Sequence, residues 1–157
     1  MAIHAPRHGA VASDATLSLV DAMAQFAFLI HDDLADRATD YGMSMIQTRL
    51  LGVLRDRTPS MNELATLLDL DKSSITGLVD RAALRGLVER VPSTSDRRAA
   101  IVRLTKDGRS LVSKVAASFE KDVATILDSL SEVERDMLKT LATRVLIANP
   151  AIQREIH

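Results

Sequence analysis

The stretch from Ser60 to Gly86 constrains the fold more than any other part of the chain. Ser60-Met61-Asn62-Glu63 has the S-x-x-E spacing of a capping box, in which the hydroxyl accepts from the third amide and the carboxylate reaches back. Leu64, Ala65, Leu67 and Leu68 then give a short helix one apolar face. Asp69-Leu70-Asp71 leaves room only for a tight turn, and Asp71 is a good N-cap for a second helix running from Lys72 to about Arg85. Gly86 stops that helix at the position just past its end, where a left-handed backbone favours glycine. Two short helices across so short a turn form a helix-turn-helix.

Beyond Gly86 the residues take on the period of strands. Leu87 to Val91 and Ala100 to Leu104 are expected to pair as a hairpin, with turn chemistry in Pro92-Ser93-Thr94-Ser95-Asp96. Helix, helix and hairpin together make a winged helix. The major groove of duplex DNA admits one helix, so the second helix is the expected reader. Its core face is Ile75, Leu78, Val79 and Ala82; its outward face, Lys72, Ser73, Thr76, Gly77, Asp80 and Arg81, is small and polar near the N-terminal end. The amides of that end are expected to meet phosphate. Gly77 costs about 1 kcal/mol of helix propensity relative to Ala, and a close backbone approach is one reason to tolerate it. The hairpin collects cations: Arg85, Arg90, Arg97, Arg98, Arg103 and Lys106 stand against only Glu89 and Asp96. Arg97 and Arg98 fall at its tip, where a thin element suits the minor groove and its phosphates.

The flanks are helical. Leu17, Val20, Ala24, Ala27, Ile30 and Leu34 recur at helical spacing between Asp14 and Asp40, and Met23, Phe26, Phe28 and Leu29 widen the stripe. A helix apolar on more than one side needs more than one partner surface, which points to burial between its own chain and a second subunit. Tyr41-Gly42 breaks it. A second helix is expected from about Met43 to Arg57, ended by Thr58-Pro59. Thr105 caps a long helix from Lys106 to about Leu127, and the capping box Ser131-Glu132-Val133-Glu134 opens a last one to about Ala148. The fold class is therefore mainly α with a small β-hairpin wing. The expected layout is a flexible arm over 1–13, N-terminal scaffold and dimerisation helices over 14–57, a DNA-binding lobe over 58–105, and C-terminal dimerisation helices over 106–157.

Composition removes several classes. A net charge of -1 gives no global argument for nucleic acid, so the argument rests on local charge. The absence of Cys excludes a disulfide framework, thiolate metal ligands and a thiol switch, and fits a cytoplasmic protein. Three Phe, one Tyr and no Trp make a poor stacking platform for single strands. No run reaches the length of a membrane span. No nucleophile set, phosphate loop or metal motif points to an enzyme. His31, Asp32 and Asp33 are consecutive and so point apart on a helix. A metal-responsive regulator is an alternative, although His4, His8, His31 and His157 lack ligand spacing. A winged helix used for protein interaction is another, and the arginine tip argues against it.

Five motifs then occur in order: Asn62-Glu63-Leu64-Ala65; Ser73-Ser74-Ile75-Thr76-Gly77-Leu78-Val79-Asp80-Arg81; Gly86-Leu87-Val88-Glu89-Arg90; Asp96-Arg97-Arg98; and Leu104-Thr105-x-x-Gly108. Together they resemble the MarR (multiple antibiotic resistance regulator) family of winged helix-turn-helix regulators. The departure is Ala82, where the family carries a larger apolar residue. The resemblance implies a sequence-specific repressor acting as a homodimer on a pseudo-palindromic operator in double-stranded DNA. Lys72, Ser73, Ser74, Thr76, Gly77 and Arg81 would contact DNA with Arg97 and Arg98. No cofactor is expected, but a small aromatic or anionic effector is. Phe28, His31, Met43, Met45 and Arg49 lie on the two helices expected to face each other beside the lobe. Met adapts to irregular ligands, and His31 or Arg49 suits a carboxylate or phenolate.

Overall fold

A computed structural model describes residues 17–92 and 100–149. Within them the chain runs α1 (Leu19–Asp40), α2 (Met45–Asp56), α3 (Met61–Leu68), α4 (Lys72–Leu84), β1 (Val88–Pro92), β2 (Ala100–Leu104), α5 (Lys106–Ile126) and α6 (Glu132–Ala148). The expected arm and the expected turn with Arg97 and Arg98 lie outside the described residues.

The helix ends follow local chemistry. Ser60, Asp71, Thr105 and Ser131 each cap as expected, Ser60 and Ser131 through full capping boxes. Glu63 and Glu134 are held below the usual carboxylate range by the Ser60 and Ser131 groups that donate to them. Three helices close in the same way. Met43 N–H donates to Ala38 and Gly42 N–H to Thr39 at the end of α1; Leu70 and Asp69 do so to Ala65 and Thr66 after α3, and Leu87 and Gly86 to Ala82 and Ala83 after α4. This paired pattern is the Schellman motif, which needs a left-handed residue. Gly42 and Gly86 supply it at φ 65° and 70°, and Asp69 adopts it at 54° without being glycine.

Three boundaries differ from expectation. α1 starts at Leu19 and not at Asp14, because Ser18 caps it by accepting from the Asp21 amide, which leaves Leu17 outside the helix. α2 starts at Met45, because Ser44 and Gln47 form a capping box that consumes the preceding residue. Met43 is therefore not on the helix; it packs into the core at 5% exposure, as the apolar partner of Ala38 in the Schellman corner. The first strand is shifted by one residue, because Leu87 is spent on closing α4.

The core lies in the lobe. Leu50, Leu51 and Leu54 of α2 meet Leu64 and Leu68 of α3, the expected face of α4, and Val88, Val102 and Leu104 of the hairpin. The strands pair antiparallel, with Val88 opposite Leu104 and Pro92 opposite Ala100. On its other edge β2 is fixed to the start of α3, where Val102 N–H donates to Pro59 at 2.8 Å. Around this core α1 packs on α5 and α2. Arg37 of α1 makes ion pairs with Asp40 and with Asp122 of α5. Burial, then the neighbouring Asp122, pushes the Asp33 carboxyl above its ordinary value. No helix among the described residues is long and apolar enough to cross a membrane.

Candidate nucleic-acid interface

The two faces of α4 separate as the spacing predicts. Ile75, Leu78, Val79 and Ala82 are buried at 2% exposure or less. Lys72, Ser73, Ser74, Asp80 and Arg81 are exposed, with Thr76 and Gly77 half-buried between the faces. The apolar side thus anchors the helix so that its polar, small-residue end projects from the lobe.

The N-terminal amides are not available in the way expected. Asp71 Oδ1 accepts from the amides of Ser73 and Ser74 at 2.8 and 2.9 Å, and its two oxygens also accept the Ser73 and Ser74 hydroxyls at 2.6 Å each. The Ser73 and Ser74 hydroxyls, followed by their amides, hold the Asp71 carboxyl well below the usual carboxylate range. A carboxylate so placed satisfies the helix end itself and repels a phosphate from it. Contacts from this end must come from side chains. The seryl oxygens keep lone pairs for a donor on a base edge. Thr76 donates its hydroxyl to the Lys72 carbonyl at 2.7 Å, which leaves its acceptor side and its methyl outward-facing options.

Gly77 also has a local explanation. A Cβ there would stand 3.2 Å from Arg81 Nη1, so the Arg81 side chain lies back along the helix over the glycine. The missing side chain lets the guanidinium approach the part of α4 that carries Thr76.

The cations of the hairpin region, pooled by sequence position, divide by role. Arg90 of β1 pairs with Asp80 of α4 at 2.7 Å, which braces the wing against the reading helix. Arg103 pairs with Glu89 across the strands at 2.8 Å, at directly opposed positions. Arg85 donates to backbone carbonyls in the α1–α2 corner. These three build the lobe, so the expected positive excess is smaller as a DNA-facing charge than as a count. Arg97 and Arg98 fall outside the described residues.

The root of the wing is built by residues whose role spacing alone did not reveal. Thr105 caps α5 and donates its hydroxyl to the Gly86 carbonyl at 2.6 Å, while its amide donates to Leu87. A Cβ on Gly108 would fall 2.0 Å from the Leu87 carbonyl oxygen, so only glycine lets α5 start this close to the end of α4. The Leu-Thr-x-x-Gly pattern is thus a docking device.

The expected effector residues are less gathered. Phe28 is 55% exposed on α1. His31, exposed on the same helix, stands 3.5 Å from Asp32. Met45 is half-buried on α2 and Arg49 exposed. Met43 drops out because the core covers it. An open cavity of about 530 Å³ lies elsewhere, lined by residues such as Arg57, Pro59, Asn62 and Thr66.

Residues 41–99 match the model of the MarR family. The chain is 31% identical over 121 residues to the HTH-type transcriptional regulator PecS of Dickeya dadantii, covering 71% of this chain and 73% of that one. Among solved structures, apo MarR from E. coli superposes with a TM-score of 0.69 at 22% identity, over 84% of this chain and 99% of that one. A mutant of S. aureus MepR bound to an oligodeoxyribonucleotide superposes with a TM-score of 0.62 at 19% identity, over 85% and 99%.

Proposed function

This chain belongs to the MarR family of helix-turn-helix transcriptional regulators, and from that premise we propose that it is a ligand-responsive repressor that binds its operator as a homodimer. It is a DNA-binding regulator and not an enzyme. The observation that carries the reading is α4: a helix anchored by four buried apolar residues, with Lys72, Ser73, Ser74 and Arg81 exposed and Thr76 and Gly77 half-buried beside them. Arg97 and Arg98 are assigned to the wing contact on their place in the sequence, between β1 and β2.

The homodimer is supported by apolar side chains that one chain leaves uncovered. Leu19, Val20 and Met23 of α1 and Val133, Met137, Leu141 and Val145 of α6 are all exposed. Large apolar side chains left exposed along a helix in this way mark an interaction site. Two reading helices brought together by it would meet half-sites about one helical turn apart, ~34 Å. Such a protein acts in the cytoplasm on a pseudo-palindromic site.

Selecting genomic fragments with the purified protein tests the reading. A pseudo-palindrome bound by two protomers is expected, with affinity that falls steeply as salt rises. Arg97→Ala should weaken binding to every duplex alike, whereas Thr76→Ala should change preference among sequences. Failure to enrich any sequence over random duplex contradicts the assignment. For the effector, Phe28, His31, Met45 and Arg49 are the proposed contacts, on packed helices beside the lobe. Salicylate-like acids should release the operator from wild type at lower concentration than from Arg49→Ala or His31→Ala. Equal release from all three would place the pocket elsewhere.

A further inference from the structure

We infer that Arg85 is a positioning residue for DNA reading: it ties the end of α1 to the end of α4 and so fixes the aim of the reading helix relative to the scaffold. Its Nη1 donates to the Gly42 carbonyl at 2.8 Å and its Nη2 to the Tyr41 carbonyl at 3.3 Å. Both acceptors sit just past the C-terminus of α1, where helix carbonyls lack partners and a cation is favoured. The donor is itself the C-cap of α4.

Each end of this strut is stiff. The Tyr41–Met43 corner is a Schellman motif locked by buried Ala38 and Met43. The Arg85–Leu87 corner is a second Schellman motif, locked by buried Ala82 and Leu87. Thr105 holds the second corner to the start of α5 through Gly86 and Leu87. The guanidinium therefore joins the ends of α1 and α4, and Thr105 adds the start of α5 to the α4 corner. Arg135 does less. It donates to the Leu127 and Leu130 carbonyls, eight and five residues away, and so only finishes its own α5–α6 corner. Arg85 spans 43 and 44 residues and joins separate parts of the fold. A guanidinium satisfies two carbonyls at once through its planar fork, so rotation of α4 against α1 must break or bend both bonds.

The inference rests on α4 being the base-reading helix, and its test separates the two. Full-length protein is titrated into a labelled duplex that wild type has selected from a random library, and into a random-sequence duplex of equal length, across a salt series. Arg85→Ala should lose about tenfold in affinity for the selected duplex, as for a lost charge-assisted bond, with the random duplex and the salt slope unchanged. Arg85→Lys, which keeps a donor, should recover most of the selectivity. Arg85→Met keeps the apolar stem without the donors; it should behave as Ala does and carries the test if Ala does not fold. A salt slope reduced by about 0.9 per protomer, with both duplexes weakened together, would make Arg85 a phosphate contact and overturn the inference. So would unchanged selectivity in Arg85→Met. Wild type that fails to discriminate the duplexes overturns the reading of α4 instead, and the positioning role with it.

Discussion

The winged-helix lobe and the terminal helices are built from the same aliphatic residues and end in opposite states. In the lobe, α2, α3, α4 and the hairpin converge, and Leu50, Leu64, Val79 and Val102 are fully buried. In α6 no residue is buried, and in α1 only Ala38 is. Val20 is 76% exposed and Val145 68%. Composition does not separate these regions; partners do. A short helix pressed between two others and a hairpin buries its stripe inside one chain. A long helix at the edge, packed on one side, leaves the rest of a wide stripe for another molecule. The lobe is thus complete within the chain, and the terminal helices carry the apolar surface that the proposed second copy would cover.

The largest effect should come from charging the uncovered stripe. Met137→Asp with Leu141→Asp would bury unpaired carboxylates if α6 lies in a dimer interface, raising the dimer dissociation constant about 1,000-fold or more. Analytical ultracentrifugation reads this directly, while binding of a single half-site by the monomer should persist because the lobe is untouched. An unchanged sedimentation coefficient would remove α6 from the interface.

Truncating the lobe core comes next. Leu64→Ala should cost about 2–5 kcal/mol in chemical denaturation, the range for a fully buried leucine. A cost under about 1 kcal/mol, the scale of surface changes, would mean that the core is looser than its burial indicates.

Gly77→Ala probes the lobe where function and stability oppose each other. Alanine should raise stability by about 1 kcal/mol through helix propensity, since the flexible Arg81 side chain can yield. The same shift should weaken operator binding, because Arg81 no longer lies over the helix. A thermal melt and a binding isotherm that both improve would assign Gly77 no role at the interface.

These positions also show what was legible in the sequence. Caps and stops are local: Ser60 with Glu63, Asp71, Ser131 with Glu134, and Gly86 each declare themselves within four residues, and the fold followed from them. The Ser44–Gln47 box was equally local, yet apolar Met43 drew the expected helix start past it. The site was only partly legible, because its wiring is non-local. Arg85, Arg90 and Arg103 resemble DNA-facing charge by position, but each is spent on a partner that only the fold brings near. Likewise, Asp71 was legible as a cap, but not as the group that takes both seryl hydroxyls and closes the amides to phosphate.

The smallest effect concerns that cap. The folded Asp71 carboxyl is depressed, so its contribution is fully present above the unfolded value near ~4 and is lost as pH falls below it. The stability advantage of wild type over Asp71→Asn should therefore be constant from neutral pH to about pH 5 and shrink on further acidification. An advantage independent of pH down to about 2 would mean that the carboxylate charge contributes nothing to the cap.

If one chain completes its lobe but not its terminal helices, light scattering of the full-length protein at micromolar concentration should show the second copy. The expected result is a single species of twice the chain mass, which the paired α6 substitutions convert to one chain mass with helicity retained. A wild-type protein that scatters as a stable, folded monomer would contradict it.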